Sequence, residues 1–231
     1  LFGIGKAPEH PLVTIFSGVG LSMLIAAPIG TAASQVGTLI MWATEQAPLA
    51  MGILVSVIVG VALTLPISSA AICAALGLTG LAGGAAVAGC CAQMIGFAVM
   101  SYKENGVGGL VSQGLGTSML QMGNIVKNPR IWIAPTLASA ITGPLATCVF
   151  HFEMNGAAVS SGMGTCGLVG QIGVYTGWVS DIAAGTKAAI TPMDWAAMVL
   201  LCFVLPAVLS VIFCEIERKL GWIKEGDLKL N

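Results

Sequence analysis

Leu49-Ala50-Met51-Gly52-Ile53-Leu54-Val55-Ser56-Val57-Ile58-Val59-Gly60-Val61-Ala62-Leu63-Thr64-Leu65 runs between Pro48 and Pro66 without one charged or amide side chain. A bilayer-spanning helix needs roughly 20 mostly apolar residues, so this run reads as a membrane helix bounded by prolines. The surroundings agree. No Lys, Arg, Asp or Glu falls between Glu9 and Glu45, between Glu45 and Lys103, or between Asp194 and Glu215. Those gaps have room for roughly four or more spans. Charged residues make up 8% of the 231-residue chain and hydrophobic ones 56%, where soluble domains carry roughly a quarter charged residues. Ala, Gly, Leu, Ile and Val dominate, and alternating aromatic strands are missing, which favours helices over a barrel.

Further along, the apolar pattern is repeatedly broken. Leu12 to Trp42 is interrupted by Pro28-Ile29-Gly30, giving one long kinked helix or two short ones. After Pro66 a short segment from Ser68-Ser69 ends at the glycines Gly77 and Gly80, and Leu81 to Met100 is a span rich in small residues that permit close helix approach. Tyr102-Lys103-Glu104-Asn105 reads as a polar turn. Ile131 to Phe152 forms another span, containing Pro135 and Gly143-Pro144, and Trp195 to Cys214 forms the last. Lys and Arg beyond that span place the C-terminus in the cytoplasm by the positive-inside rule.

One motif occurs twice. Val111-Ser112-Gln113-Gly114-Leu115-Gly116-Thr117-Ser118 returns as Val159-Ser160-Ser161-Gly162-Met163-Gly164-Thr165-Cys166. Each copy follows Asn-Gly and precedes Gln-apolar-Gly, so the units run from Asn105 to Gly123 and from Asn155 to Gly173. Such segments are too glycine-rich for a firm spanning helix and too apolar for a water-filled loop. Duplicated broken segments of this kind bring irregular backbone to a midplane transport site. The expectation is a single membrane-embedded domain over residues 1–231: an all-α polytopic membrane protein with about five to seven transmembrane helices, broken helices and two re-entrant hairpins at 105–123 and 155–173.

Chemistry-bearing residues are few. His151, Glu153 and Asn155 sit between an apolar helix and the second copy, flanked by Phe150 and Phe152. Ionisable groups at membrane depth are costly and by default functional, whereas at the interface they serve as caps. A carboxylate, an imidazole and amides match the hydroxyls of a sugar-like solute, so the candidate site holds Glu153, His151, Asn155, Gln113, Asn124 and Gln171, with the Thr117 and Thr165 hydroxyls beside flexible glycines. Glu153 is expected to face a polar cavity shared with Gln113 and Gln171. Glu45, Asp181 and Asp194 read as turn or cap residues, Asp194 standing behind Thr191-Pro192 as at a helix start. The seven cysteines lack a Cys-x-x-Cys pair and read as small hydrophobes. Neither a metal nor a cofactor is expected, and a net charge of −1 without a basic block gives nucleic acid no footprint. No phosphate-binding loop, zinc-protease motif or nucleophile elbow occurs, so the chain itself is expected to be non-catalytic.

The runs Gly109-Leu110-Val111-Ser112-Gln113-Gly114-Leu115-Gly116-Thr117-Ser118-Met119, Asn124-Ile125-Val126-Lys127-Asn128-Pro129 and Ser160-Ser161-Gly162-Met163-Gly164-Thr165 resemble a branch of the phosphotransferase-system IIC membrane components, one that includes perfringolysin O regulators. The likeness extends from about Leu12 to Leu209. It implies a homodimeric plasma-membrane permease with re-entrant hairpins that carries a sugar or other small polar solute by alternating access, while cytoplasmic IIA and IIB partners perform phosphotransfer. It also implies a further portion ahead of Leu1. The Gly-Ile-Thr-Glu-Pro motif of better-known sugar IIC proteins is absent, so Glu153 is not assigned the substrate role through that motif. Two other functions fit the same residues: a membrane sensor built on a permease fold, and an ion-coupled transporter using Glu153 or His151.

Overall fold

The computed structural model describes residues 11–230. Apart from one isolated bridge pair, Gly80 with Met154, these residues form helices, turns and irregular backbone. The chain is an all-α membrane protein. Three helical stretches are long and apolar enough to cross a membrane, Gly80–Met100, Pro129–Val149 and Pro192–Lys219, and Pro48–Thr64 is a shorter apolar helix.

The central helix, α4 (Gly80–Met100), is buried along almost its whole length. Its small residues explain why. A Cβ on Gly89 would stand 2.0 Å from the Ser56 carbonyl oxygen, and one on Gly84 would stand 1.6 Å from that of Phe152. Without hydrocarbon–water contrast between helices, backbone-to-backbone approach of this kind supplies the packing. Helix α2 (Pro48–Thr64) lies along α4 through the Ser56–Gly89 contact, and α7 (Ile133–Pro144) lies on α2 through Gly143, whose Cβ would meet the Gly52 carbonyl at 2.2 Å, and on α4 through Ser139, whose hydroxyl donates to the Gly89 carbonyl at 3.3 Å. Hydroxyls close the seams: Ser56 donates to the Ser139 carbonyl at 2.8 Å, and Thr147 donates to the Pro48 carbonyl at 2.7 Å.

Helix α1 (Pro11–Gln46) continues through Pro28 as one helix, which settles the alternative left open by the sequence. Thr64 ends α2 where the chain turns through Pro66, and α3 (Ser69–Leu76) leads to α4 with Ser68 as its N-cap and a left-handed Gly77 as its stop. The expected polar turn at Tyr102–Asn105 is instead the first turn of α5 (Tyr102–Val111), kinked at Gly106, because Ser101 alone suffices to bend the chain out of α4. Next come the first copy's broken segment, α6 (Met122–Lys127), a 3₁₀ turn Pro129–Trp132 and α7, which runs into a π turn at Leu145–Val149. Pro135 and Pro144 lie inside this span without ending it. The second copy runs into α8 (Val169–Ala183), and α9 (Pro192–Val199), a π turn at Leu200–Val204 and α10 (Leu205–Lys219) follow. Thr191 and Asp194 form the reciprocal capping box that starts α9, as the sequence suggested.

Two ends of the bundle follow from the contacts. Gly80, at the start of α4, pairs with Met154, and Asn155 bonds Asp181 at the end of α8. Ser101, just past the other end of α4, accepts from Gln113; nearby, Glu104 pairs with Arg218 and Asn128 bonds Trp222. The Gly80 end and the Met100 end are therefore distinct faces.

Candidate solute site

The two repeat copies enter the bundle from these opposite ends. The first leaves Asn105 at the Met100 end, runs through α5 and a π turn (Ser112–Gly116), breaks at an extended Thr117, and returns through a 3₁₀ turn (Ser118–Gln121) and α6 to Asn128 at the same end. The second leaves Asn155 at the Gly80 end, passes 3₁₀ turns at Ala158–Gly162 and Cys166–Leu168, and returns along α8 to Asp181, which bonds Asn155. Each therefore doubles back as a hairpin in the helix bundle.

Their tips meet against α4. The Thr165 hydroxyl donates to the Gly114 carbonyl, and Thr165 also lies against Met94 sulfur at 3.6 Å. A Cβ on Gly164 would touch Cys90 at 2.7 Å, and one on Gly114 would lie 3.5 Å from Ala98. Cys90 and Ala98 flank the second half of α4, so the break falls inside the bundle rather than at its rim. The second tip is held by left-handed backbone at Gly164 (φ +54), Gly167 (φ +53) and Leu168 (φ +58). Leu168 in that region is strained by about 1–2 kcal/mol, a kind of cost that concentrates at functional segments.

At the Gly80 end, His151, Glu153 and Asn155 line a cleft of about 480 Å³ with Phe150, Trp178, Asp181, Lys187 and Asp194. Asn155 organises it. Its Nδ2 donates to Glu153 Oε2 at 3.0 Å and to Asp181 Oδ2 at 2.9 Å, and its Oδ1 accepts from the Gly80 amide at 3.1 Å. Both carboxylates thus converge on one amide at the hairpin's root. Gly177 permits this, since a Cβ there would stand 2.8 Å from the Asn155 nitrogen. Opposite, Lys187 pairs with Asp194 at 2.8 Å and lies over the Trp178 ring at 5.4 Å. Trp178 stands edge-on to Trp195, with ring centroids 5.6 Å apart. His151 takes up its position with φ +45, a left-handed backbone conformation uncommon outside glycine, though histidine adopts it more readily than most residues.

The remaining candidates lie elsewhere. Gln113 is fully buried and bonds Ser101 Oγ at 2.7 Å, while its Oε1 accepts from Gln121; Asn124 donates to Gln121 Oε1 at 2.7 Å and to the Lys229 carbonyl at 3.0 Å. These amides knit the first hairpin to the chain's C-terminal segment. Thr117 caps the turn after the break by accepting from the Met119 amide at 3.1 Å. Gln171 is buried behind the second tip with its Nε2 on Cys91 sulfur at 3.3 Å, and its Oε1 has no hydrogen-bond partner. Among the described residues the cleft that Glu153 lines takes in neither Gln113 nor Gln171, contrary to expectation: the copies approach from opposite ends, which keeps their amides apart. Sequence reading also missed Asp181, Lys187, Asp194 and Trp178 as cleft residues. The available signal was that α8, starting from a tip inside the bundle, brings its end back beside Asn155.

The family model described as Phosphotransferase system, EIIC matches residues 10–230, nearly the whole chain. The chain belongs to that family. It is thus a membrane permease component of a sugar phosphotransferase system, embedded in the plasma membrane by several passes and working alongside IIA and IIB phosphotransfer components. No curated protein and no solved structure matches it.

Proposed function

We propose that this EIIC protein binds a sugar in the cleft of Glu153, His151 and Asn155, and passes it inward by alternating access across the junction where Thr165 meets Gly114. Within the family, the glycine and amide runs around Gln113 and Ser160 favour the branch that includes perfringolysin O regulators. Asp181 and Trp178 extend the binding set, one as a hydrogen-bond acceptor and the other as an apolar wall for a sugar face. Gln171, with its unpartnered buried oxygen, and Thr165 line the next step; Gln113, Thr117 and Asn124 belong to the inner hairpin that must move. The single observation carrying this reading is the position of the cleft at the root of one hairpin, with that hairpin's tip bonded to the tip of the other.

Charge distribution supports a direction. Among the described residues every Lys and Arg except Lys187 belongs to the Met100 end, in Lys103, Lys127, Arg130 and the segment from Arg218 to Lys229. The positive-inside rule then makes that end, with the C-terminus, cytoplasmic, and the cleft opens outward. The two hairpins are re-entrant in the bilayer, and the working unit is a homodimer served by IIA and IIB proteins, as the resemblance implies. Uptake of a sugar panel by proteoliposomes, with and without phosphoenolpyruvate and the phosphotransfer proteins, tests the proposal. Accumulation of a phosphorylated sugar only with the full chain of partners supports it. Uptake driven instead by a proton or sodium gradient, or sugar binding with no uptake under any condition, contradicts it.

A further inference from the structure

Beyond α10 the chain turns back at Gly221 (φ +71) and again at Gly226 (φ +96), and the segment from Trp222 to Leu230 lies against the first hairpin. Its anchors are apolar: Ile223 and Leu228 are buried in a cluster with Phe97, Met100, Ile125 and Ile131. Its register is polar and is set by hairpin side chains reading its backbone. Asn105 Nδ2 donates to the Leu228 carbonyl at 2.8 Å while its Oδ1 accepts from the Leu230 amide at 2.8 Å. Gln121 donates to the same Leu228 carbonyl at 2.9 Å, and Asn124 donates to the Lys229 carbonyl at 3.0 Å. Glu104, itself held by Arg218 at 3.0 Å, accepts from the Leu228 amide, and Asn128 ties both Trp222 and Asp227. At the root of the segment both carboxylate oxygens of Glu217 are buried without a partner, an unfavourable arrangement. Beside it, Leu120, Gly123, Asn124, Lys229 and Leu230 line a second cleft of about 320 Å³.

We propose that residues 222–230 are an inner gate: a strap that holds the first hairpin closed through its amides and must leave before that hairpin can open toward the Met100 end. The amides follow directly on the Gln113–Gln121 bond, so the strap and the hairpin tip share one continuous network. Freeing the strap leaves Gln121 and Asn124 short of acceptors and favours rearrangement of the segment they carry. A cytoplasmic partner offering an extended backbone to the same amides would displace the strap in this way. The gate rests on the proposed permease reading only for its purpose, since the opening itself is measurable without a solute.

The test uses the full-length protein with its natural cysteines replaced and Ser118→Cys introduced. Ser118 is fully buried and bonds Thr64 at 2.9 Å, so its reaction with a water-soluble methanethiosulfonate reports hairpin opening. Strap release by Asn105→Ala, or by Leu228→Asp, should raise the labelling rate about tenfold or more. In a second arm, Asn105→Cys and Leu230→Cys joined by a short bis-thiosulfonate linker should suppress labelling, and reductive cleavage of the linker before labelling should restore it. Equal labelling of folded release variants and parent overturns the gate, as does labelling unaffected by the linker. If instead labelling responds as expected but no sugar is ever transported, the gate stands and the permease reading falls.

Discussion

Gly164→Ala is the perturbation that separates the two repeat copies most sharply. Gly164 has φ +54, and an added Cβ would lie 2.7 Å from Cys90 Cβ and 2.8 Å from the Cys90 carbonyl carbon. The left-handed backbone costs an alanine about 1–2 kcal/mol. Forcing a methyl against α4 adds about 1–3 kcal/mol, because the groups met belong to the most buried helix of the fold and yield little. The expected loss is about 2–5 kcal/mol in total. Its sequence counterpart Gly116 has ordinary φ and nothing within 4 Å of the added Cβ, so Gly116→Ala should change stability by no more than about 0.5 kcal/mol. Unfolding both variants by sodium dodecyl sulfate titration in mixed micelles, followed by tryptophan fluorescence, measures the difference. Equal stability of the two variants would refute the assignment of Gly164 to a left-handed tip packed on α4.

Three further outcomes follow from the same geometry. Glu153→Gln keeps the side-chain volume while removing the charge; with folding intact, affinity for whichever sugar the wild type binds should fall about tenfold or more, and wild-type affinity by equilibrium dialysis would return Glu153 to an interfacial role. Thr165→Val deletes the bond to the buried Gly114 carbonyl, which should lower stability by about 1–2 kcal/mol in the same micelle titration; no change would mean that the tips are not coupled through this hydroxyl. Gly89→Ala places a Cβ 2.0 Å from the Ser56 carbonyl, so α2 and α4 must separate and the protein should lose about 3 kcal/mol or fail to fold, whereas Gly123→Ala, with open space around it, serves as the tolerated control.

The membrane class, the last span and the breaks in the repeats were legible in the sequence because hydropathy and glycine act locally. The capping box at Thr191 and Asp194 was legible for the same reason. What was hidden is long-range. Gln113 and Asn124 look like solute ligands to any reading of residue type, since a buried amide needs partners and sequence names none. The structure supplies those partners from the strap, more than a hundred residues away in the case of Asn124 and Lys229. Likewise Asp181 looked like a turn residue because its bond to Asn155 spans the whole second hairpin. The opposite approach of two similar motifs was also invisible, because an eight-residue repeat carries no sign of which end of the bundle its flanking helices reach.

That opposite approach, with the cleft facing out and the strap facing in, is the claim on which the transport account depends. The most direct measurement is sided labelling of single cysteines by an impermeant thiol reagent, in intact cells and in inverted vesicles, with the natural cysteines replaced. Thr186→Cys, at the cleft, should react only in intact cells. Lys219→Cys and Lys127→Cys, at the Met100 end, should react only in inverted vesicles. Reaction of all three from one side would place both hairpin roots on the same face of the membrane and contradict the account.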